Sequence, residues 1–267
     1  MEPKIVYKYR DWEKPSHQRI LINNQLYLSS PKDFNDPFDC RINHNFTLLS
    51  TKEEDDYITT LAIRQFPEAE KRGIDYGPVI KDFENRFKNK SEFQKYADTL
   101  LFTHQDKNYA IFSCSKRWNS ILMWSHYSAN HTGFCVGFWY HKMFDSHLFG
   151  KGALVKYDTN FPKIKPRPAQ NDKQSIIDSF IETHTKSKEW QYEKEYRFMT
   201  TSPIELSAKN RIVHVPDDYI AEVILGMLIS DNDKKKITEI CHTKNIPLFQ
   251  AKKVDFKFKI TRELIKN

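Results

Sequence analysis

Glycine is scarce in this chain, with 7 in 267 residues. Neither G-x-G-x-x-G nor G-x-x-x-x-G-K-[ST] occurs, which removes the glycine loops that cradle phosphates in Rossmann and P-loop folds. Cysteine is scarce too. Cys40, Cys114, Cys135 and Cys241 stand far apart, form no C-x-x-C pair and lie in apolar runs such as Ile111-Phe112-Ser113-Cys114. That pattern argues against disulfides and zinc ligands and for buried free thiols in a reducing compartment. Long apolar runs are missing: the longest, around Val223 to Ile229, is far too short to span a bilayer. Met1-Glu2-Pro3-Lys4 has no apolar signal-peptide core. These absences point to a cytoplasmic protein with no membrane partner.

Aromatics and charge are plentiful. Aromatic residues are 14% of the chain, with 19 Phe and 13 Tyr, a composition that supports a packed core rather than disorder. The length suits one large domain or two small ones. The formal charge of +7 suits an anionic partner, a nucleic acid or a dinucleotide, but it is spread along the chain. The lysine-rich runs Asp231 to Lys236 and Lys252 to Lys259 also contain acids and read as solvated faces.

Periodicity predicts strands at Ile5 to Arg10 and Gln25 to Ser30, with one or two helical turns between them. Phe34-Asn35-Asp36-Pro37-Phe38-Asp39 reads as a structured turn, because Pro37 disfavours helix at Asp36 and the Asx side chains bond nearby backbone. Thr51 to Phe102 is helical in pattern, opened by the capping box Thr51-x-x-Glu54. Strands return at Tyr109 to Ser115, Gly133 to Tyr140 and Leu154 to Asp158, with a short helix at Ile121 to Tyr127. Phe161 to Pro168 is an irregular basic loop, and a helix covers about Lys173 to Lys188. Further strands are expected at Arg211 to Val215 and Tyr219 to Leu225, then a helix capped by Asp231. A last strand carries Val254, Phe256, Phe258 and Ile260 inward. The fold class is α+β, a single domain over 1–267 with a helical insertion at about 50–102.

The most informative stretch is Glu189 to Phe198. If Glu193 to Phe198 is a strand, Glu193, Glu195 and Arg197 share one face. Two carboxylates that close repel, so one has a raised pKa or leans on the arginine, an arrangement suited to proton transfer or to holding a developing cation. A solvated strand edge with a charge ladder fits the composition equally well. Trp124, His126 and Tyr127 form a polar-aromatic cluster in which a base or nicotinamide ring could stack, although Trp124 suits the core better. His126 and His131 are five apart, the wrong spacing for two zinc ligands on one helical face, and no metal is expected. Asn35, Asp36 and Asp39 are candidates for a substrate contact, with Asp36 and Asp39 a thin case for Mg²⁺.

Several blocks resemble one bacterial family, domain of unknown function 2971. They are Tyr7-Lys8-Tyr9-Arg10, Leu26 to Pro31 running into Phe34 to Asp39, Phe112 to Ser115, Met123 to Tyr127, His131 to Phe138, and Glu189-Trp190-x-x-Glu193-x-Glu195-Tyr196-Arg197. A looser resemblance is to ADP-ribosyltransferases, which grip NAD in a twisted, split, mixed or antiparallel sheet. They set an Arg or His on the first strand, a Ser or Tyr on the second and a Glu on a later one. Arg10, then Tyr27 with Ser29 and Ser30, then Glu193 and Glu195 match that order, and Glu193-Lys194-Glu195 is similar to the E-x-E of arginine-directed members. No His stands on the first strand, and Arg10 lies close in sequence to the serines.

That resemblance implies an enzyme that uses NAD as substrate, an ADP-ribosyltransferase or NAD glycohydrolase with a protein or nucleic-acid acceptor, of a kind that acts as a toxin or in anti-phage defence. It makes Glu195 or Glu193 the catalytic carboxylate, with Arg197 as orienter. Arg10, Tyr27, Ser29, Ser30, Trp124, His126 and Tyr127 would contact NAD. Two alternatives stay open: a non-catalytic nucleotide or nucleic-acid binding module, and a metal-dependent nuclease using Asp36, Asp39, Glu193 and Glu195. Ser113 and Ser115 have no obvious His-Asp relay for a serine hydrolase.

Overall fold

Alternation of Val6 with Tyr7 and Tyr9 makes Ile5–Arg10 a strand buried on both faces, and it lies in the middle of the main sheet. The computed structural model describes residues 2–65, 73, 75–167 and 173–265. The parts of the expected helical block at 66–72 and 74, and Pro168 of the basic loop, lie outside the described residues.

In chain order the elements are β1 (Ile5–Arg10), α1 (Pro15–Ile22), β2 (Gln25–Tyr27), α2 (Thr51–Gln65), α3 (Gly77–Lys88), α4 (Lys90–Asn108) and β3 (Tyr109–Ser115). Next come α5 (Ile121–Tyr127), β4 (Phe134–Trp139), α6 (Tyr140–Asp145), β5 (Lys151–Leu154), β6 (Lys156–Asp158), α7 (Lys173–His184), β7 (Thr185–Ser187) and β8 (Glu195–Thr201). The chain continues with β9 (Ile212–His214), β10 (Ile220–Leu225), α8 (Asp231–Thr243), β11 (Leu248–Lys253) and β12 (Ile260–Leu264). The fold is α+β. Eight strands make an open mixed sheet in the order β12-β11-β10-β4-β1-β3-β8-β5, with β2–β9 and β6–β7 as separate two-stranded ribbons. Within the main sheet only β10 and β11 run parallel.

One face of the sheet carries Val6, Phe112, Phe134, Val136, Phe138 and Phe198, covered by Ile20 and Leu21 of α1 and Ile237 and Cys241 of α8. The other face carries Tyr7, Tyr9, Cys135 and Ile224, covered by Met123 and Trp124 of α5. Helices α2 to α4 have a core of their own, in which Phe46 meets Ile58, Phe83, Phe87 and Phe93. All four cysteines are buried free thiols. Among the described residues, no helix is long and apolar enough to cross a membrane.

Several expectations need correction. The box that opens α2 is Ser50 with Glu53, whose carboxylate accepts from the Ser50 amide and hydroxyl, and Thr51 is the first helical residue rather than the cap. The strand drawn through Val254 to Ile260 is a hairpin turn over Val254 to Lys259, with only Ile260 in β12 and buried, and Phe256 and Phe258 stand fully in solvent. Alternation there reflects a tip that packs against nothing. The helix expected to reach Lys188 ends at His184, because Thr185 to Ser187 pairs with β6 as a strand. α8 is capped by the Ser230 hydroxyl, which accepts from the Asp233 amide, so Asp231 is its first residue rather than its cap. Finally, Glu193 lies outside β8. It closes a short 3-10 helix, and Lys194 behind it is left-handed (φ 46°, ψ 49°).

Candidate functional site

Strands β1 and β3 are neighbours yet share one aligned pair, Tyr7 opposite Ser115. Past that pair they part. The edge of β3 is completed by other groups: Ser29 exchanges backbone hydrogen bonds with Ile111, and the Lys8 ammonium donates to the Ser113 carbonyl oxygen. A cavity of about 410 Å³ opens in this fork, a volume within the usual range for small-molecule sites. A more open depression of about 380 Å³ is lined by Pro3, Lys4, Ile5, Arg117, Trp118 and Asn119.

The cavity floor is a buried charge network. Glu195 and Arg197 are alternate residues of β8 and share its inward face, opposite Ser115 and Ser113 of β3. The Arg197 guanidinium is gripped on two sides. Its Nε and Nη2 donate to the two oxygens of Glu195 at 2.7 and 2.9 Å, and its Nη1 and Nη2 to those of Asp39 at 2.8 and 2.6 Å. Nη1 also donates to the Thr183 carbonyl oxygen at 2.6 Å. This double fork suits a guanidinium and no other side chain. Burial alone would lower the pKa of Arg197, but Glu195 and Asp39 outweigh it and hold it well above the ordinary value. Burial would likewise raise Glu195, yet Arg197 and Lys186 drive it far below the carboxylate range.

Glu193 arrives by a different route. Left-handed Lys194 breaks the two-residue period, and the Ser115 hydroxyl anchors the bend by donating to the Glu193 carbonyl oxygen at 2.6 Å. The Glu193 carboxylate accepts from the Tyr127 hydroxyl at 2.5 Å and from Lys186 Nζ at 2.7 Å. Lys186 lies 3.2 Å from Asp39 and 3.5 Å from Glu195, and 4.8 Å from the centre of the Trp190 ring. Burial opposes its charge, but the three acids overcome that and raise its pKa. Two cations therefore face three carboxylates. The floor thus holds one carboxylate more than cations, and Lys186, though closest to Glu193, is shared with Asp39 and Glu195. Burial raises the pKa of Glu193, Lys186 only partly opposes this, and Glu195 adds to it.

The cavity mouth has the opposite character. Lys8, Arg10, Lys14 and His17 line it, and among the described residues Arg10 and Lys14 form no ion pair. Burial and the nearby Arg10 pull Lys8 down to about 7, and burial lowers Arg10 to about 10. Burial, with Arg10 and Lys14, lowers His17 to about 4. Anionic groups at the mouth are Asp11 and Asp33.

Of the residues singled out by sequence, Arg10, Ser29, Asn35, Asp39, His126, Tyr127, Glu193, Glu195 and Arg197 meet at this one cavity. Four do not. Tyr27 is exposed on the β2–β9 ribbon. Ser30 is buried and donates to the Asp106 carbonyl oxygen. Trp124 is fully buried, donates to the Trp118 carbonyl oxygen and packs edge-on against Tyr9. Asp36 turns away, accepting the Phe38 amide at 3.0 Å within its own turn. Lys186 and Lys8 also line the cavity and were not singled out from the sequence. A lysine inside an otherwise apolar strand, as Lys8 is between Tyr7 and Tyr9, was the available signal for the second. Among the described residues no group of three His, Cys, Asp or Glu side chains is placed to hold a metal ion.

Residues 123–198 match the model of a family described as "Protein of unknown function (DUF2971)". The match runs from α5 to β8 and so contains Tyr127, Lys186, Glu193, Glu195 and Arg197, while β1 and the Asn35 to Asp39 turn lie before it. No curated protein and no solved structure gives a match to the chain.

Proposed function

We propose that the fork between β1 and β3 binds NAD or a closely related nucleotide and cleaves its nicotinamide–ribose bond, passing ADP-ribose to an acceptor or to water. The observation that carries this reading is the opposition of the two walls. Unpaired Arg10 and Lys14, with Lys8, offer a cationic lip for the diphosphate, and Glu193 waits on a floor that holds one carboxylate more than cations. A substrate with a negative middle and a reacting end that gains positive charge fits both.

The chemistry follows from where charge moves. The C1′–N bond breaks and its electron pair leaves with the ring nitrogen, turning a cationic pyridinium into neutral nicotinamide. Positive charge develops on the ribose C1′ and ring oxygen. An acceptor oxygen or nitrogen then bonds to C1′ and loses a proton. A carboxylate fixed beside C1′ stabilises that charge where water is sparse. Glu193 is the better candidate for this role. The charge of Glu195 is matched by the Arg197 guanidinium on both of its oxygens, whereas Glu193 has one neutral donor, Tyr127, and one cation, Lys186, that it shares with Asp39 and Glu195. In this reading Tyr127 and Lys186 hold Glu193 in place. Arg197 fixes Glu195 and Asp39 beneath it, and His126 with Tyr192 offers a ring surface at the mouth.

The test is release of nicotinamide from NAD, followed by chromatography, in wild type, Glu193→Gln and Asn119→Ala, the last as a control on the other depression. Loss of roughly 10²–10³-fold in rate is expected for Glu193→Gln and none for the control. Equal rates in wild type and Glu193→Gln would remove the role given to Glu193.

A further inference from the structure

The tip of the β11–β12 hairpin is built against the ordinary rules for a surface turn. Val254 to Lys257 forms a β-turn, closed by the Lys257 amide donating to the Val254 carbonyl oxygen at 3.3 Å. Phe256 occupies its third position with φ 59°, a conformation that such turns reserve for Gly or Asn and that is an outlier for a bulky side chain. Phe256 and Phe258 are as exposed as residues of an extended peptide, at 105% and 102%. Around them stand Lys253, Lys257 and Lys259, with one carboxylate, Asp255, in the turn; none of these four forms an ion pair among the described residues, so the tip keeps a net positive charge, while Lys252 is paired with Glu263. Lysines alone would be routine protection for the sheet edge that β12 provides. Two unburied phenylalanines, one held in a strained turn, have no such explanation.

We propose that this tip is a membrane-surface anchor that inserts Phe256 and Phe258 into the interfacial region of a bilayer containing anionic phospholipid. The apolar rings take the place of interfacial wedges, and the unpaired ammonium groups meet lipid phosphates at the depth where basic residues favour anionic headgroups. The shape selects this partner over a nucleic acid. Single strands are bound in charged grooves where aromatic faces form a platform, whereas these rings project from the apex of a turn. The expectation of no membrane partner rested on the length of apolar runs, which governs spanning and not surface attachment.

Co-sedimentation with vesicles of phosphatidylcholine carrying 30% phosphatidylglycerol, and with phosphatidylcholine alone, tests this on the full chain. Binding to the anionic vesicles is expected, at least tenfold weaker to the neutral ones, and at least tenfold weaker for Phe256→Ser/Phe258→Ser than for wild type. Both positions are fully exposed, so the variant is expected to melt at the wild-type temperature. In Phe258→Trp, a blue shift of the tryptophan emission on adding anionic vesicles is the second signature. Vesicle binding that survives the double substitution, or the absence of vesicle binding, overturns the proposal. Phe-dependent binding to a single-stranded oligonucleotide in place of vesicles, or Phe-dependent self-association by sedimentation, also overturns it and assigns the tip to that partner.

Discussion

Replacing Arg197 by Leu should destabilise the fold severely, by a calculable amount. Arg197 is fully buried and its guanidinium donates to six acceptors: four carboxylate contacts, the Thr183 carbonyl oxygen and, more weakly, the Cys40 sulfur. Leucine removes the charge and leaves Asp39 and Glu195 facing each other with Lys186 as their remaining cation, at 3.2 and 3.5 Å. Breaking a buried ion pair from one side costs about 3–5 kcal/mol. Two carboxylates are orphaned here, but Lys186 is retained and one acid can take up a proton, so the cost stays near that range. At about 2–4 °C per kcal/mol for a large domain, the melting temperature should fall by roughly 6–20 °C. Arg197→Lys keeps the charge but not the double fork, and should fall between leucine and wild type. The difference should also depend on pH. The folded-state pKa of Glu195 lies below its unfolded value, so its contribution is present above the unfolded pKa and is lost as pH falls through the folded one. The gap between wild type and Arg197→Leu should therefore narrow on acidification below about pH 4. Calorimetric melts at neutral and acid pH measure both effects. A loss under about 2 °C at neutral pH would mean that the network is solvated and that the buried floor described above is wrong.

Lys8→Met should flatten the alkaline limb of stability. Between about 7 and the ordinary lysine range near about 10.4 the unfolded chain binds more protons at this site than the folded one, so wild-type stability rises with pH there, as urea midpoints across that range will show. Tyr127→Phe deletes the donor to Glu193 Oε1 and should lower the rate of nicotinamide release by about tenfold while leaving the melt within a few degrees, read by chromatography and calorimetry. Gly133→Ala would press a methyl group onto the Arg10 carbonyl oxygen and to 2.7 Å from Ser128 Oγ, so a lower melting temperature and weaker nucleotide binding should appear together.

Much of this was legible in the residues, and the failures have physical causes. β1, β3 and α5 have the bounds that alternation and helical spacing predict, because their apolar side chains are set against packed neighbours. The Glu193, Glu195 and Arg197 constellation was also legible, since acids and an arginine within an apolar strand need partners. The mechanism of their convergence was not: a left-handed Lys194 brings Glu193 into the cavity, where a continuous strand was expected. Lys186 was hidden because an apolar helical pattern ran up to it, and only pairing with β6 turns that segment into strand. Phe256 and Phe258 imitated an inward-facing strand, and no local signal distinguishes a strand from an exposed turn with the same alternation. The parting of β1 from β3 is a tertiary feature, set by Ser29 and Lys8 occupying the edge that β1 leaves.

The central claim is that this fork holds a nucleotide diphosphate against Arg10. Isothermal titration of ADP-ribose into wild type and Arg10→Gln tests it most directly. Saturable binding is predicted, weakened by roughly tenfold to a hundredfold in Arg10→Gln through loss of a charged hydrogen bond. Absence of binding, or equal affinity in the two proteins, would contradict it.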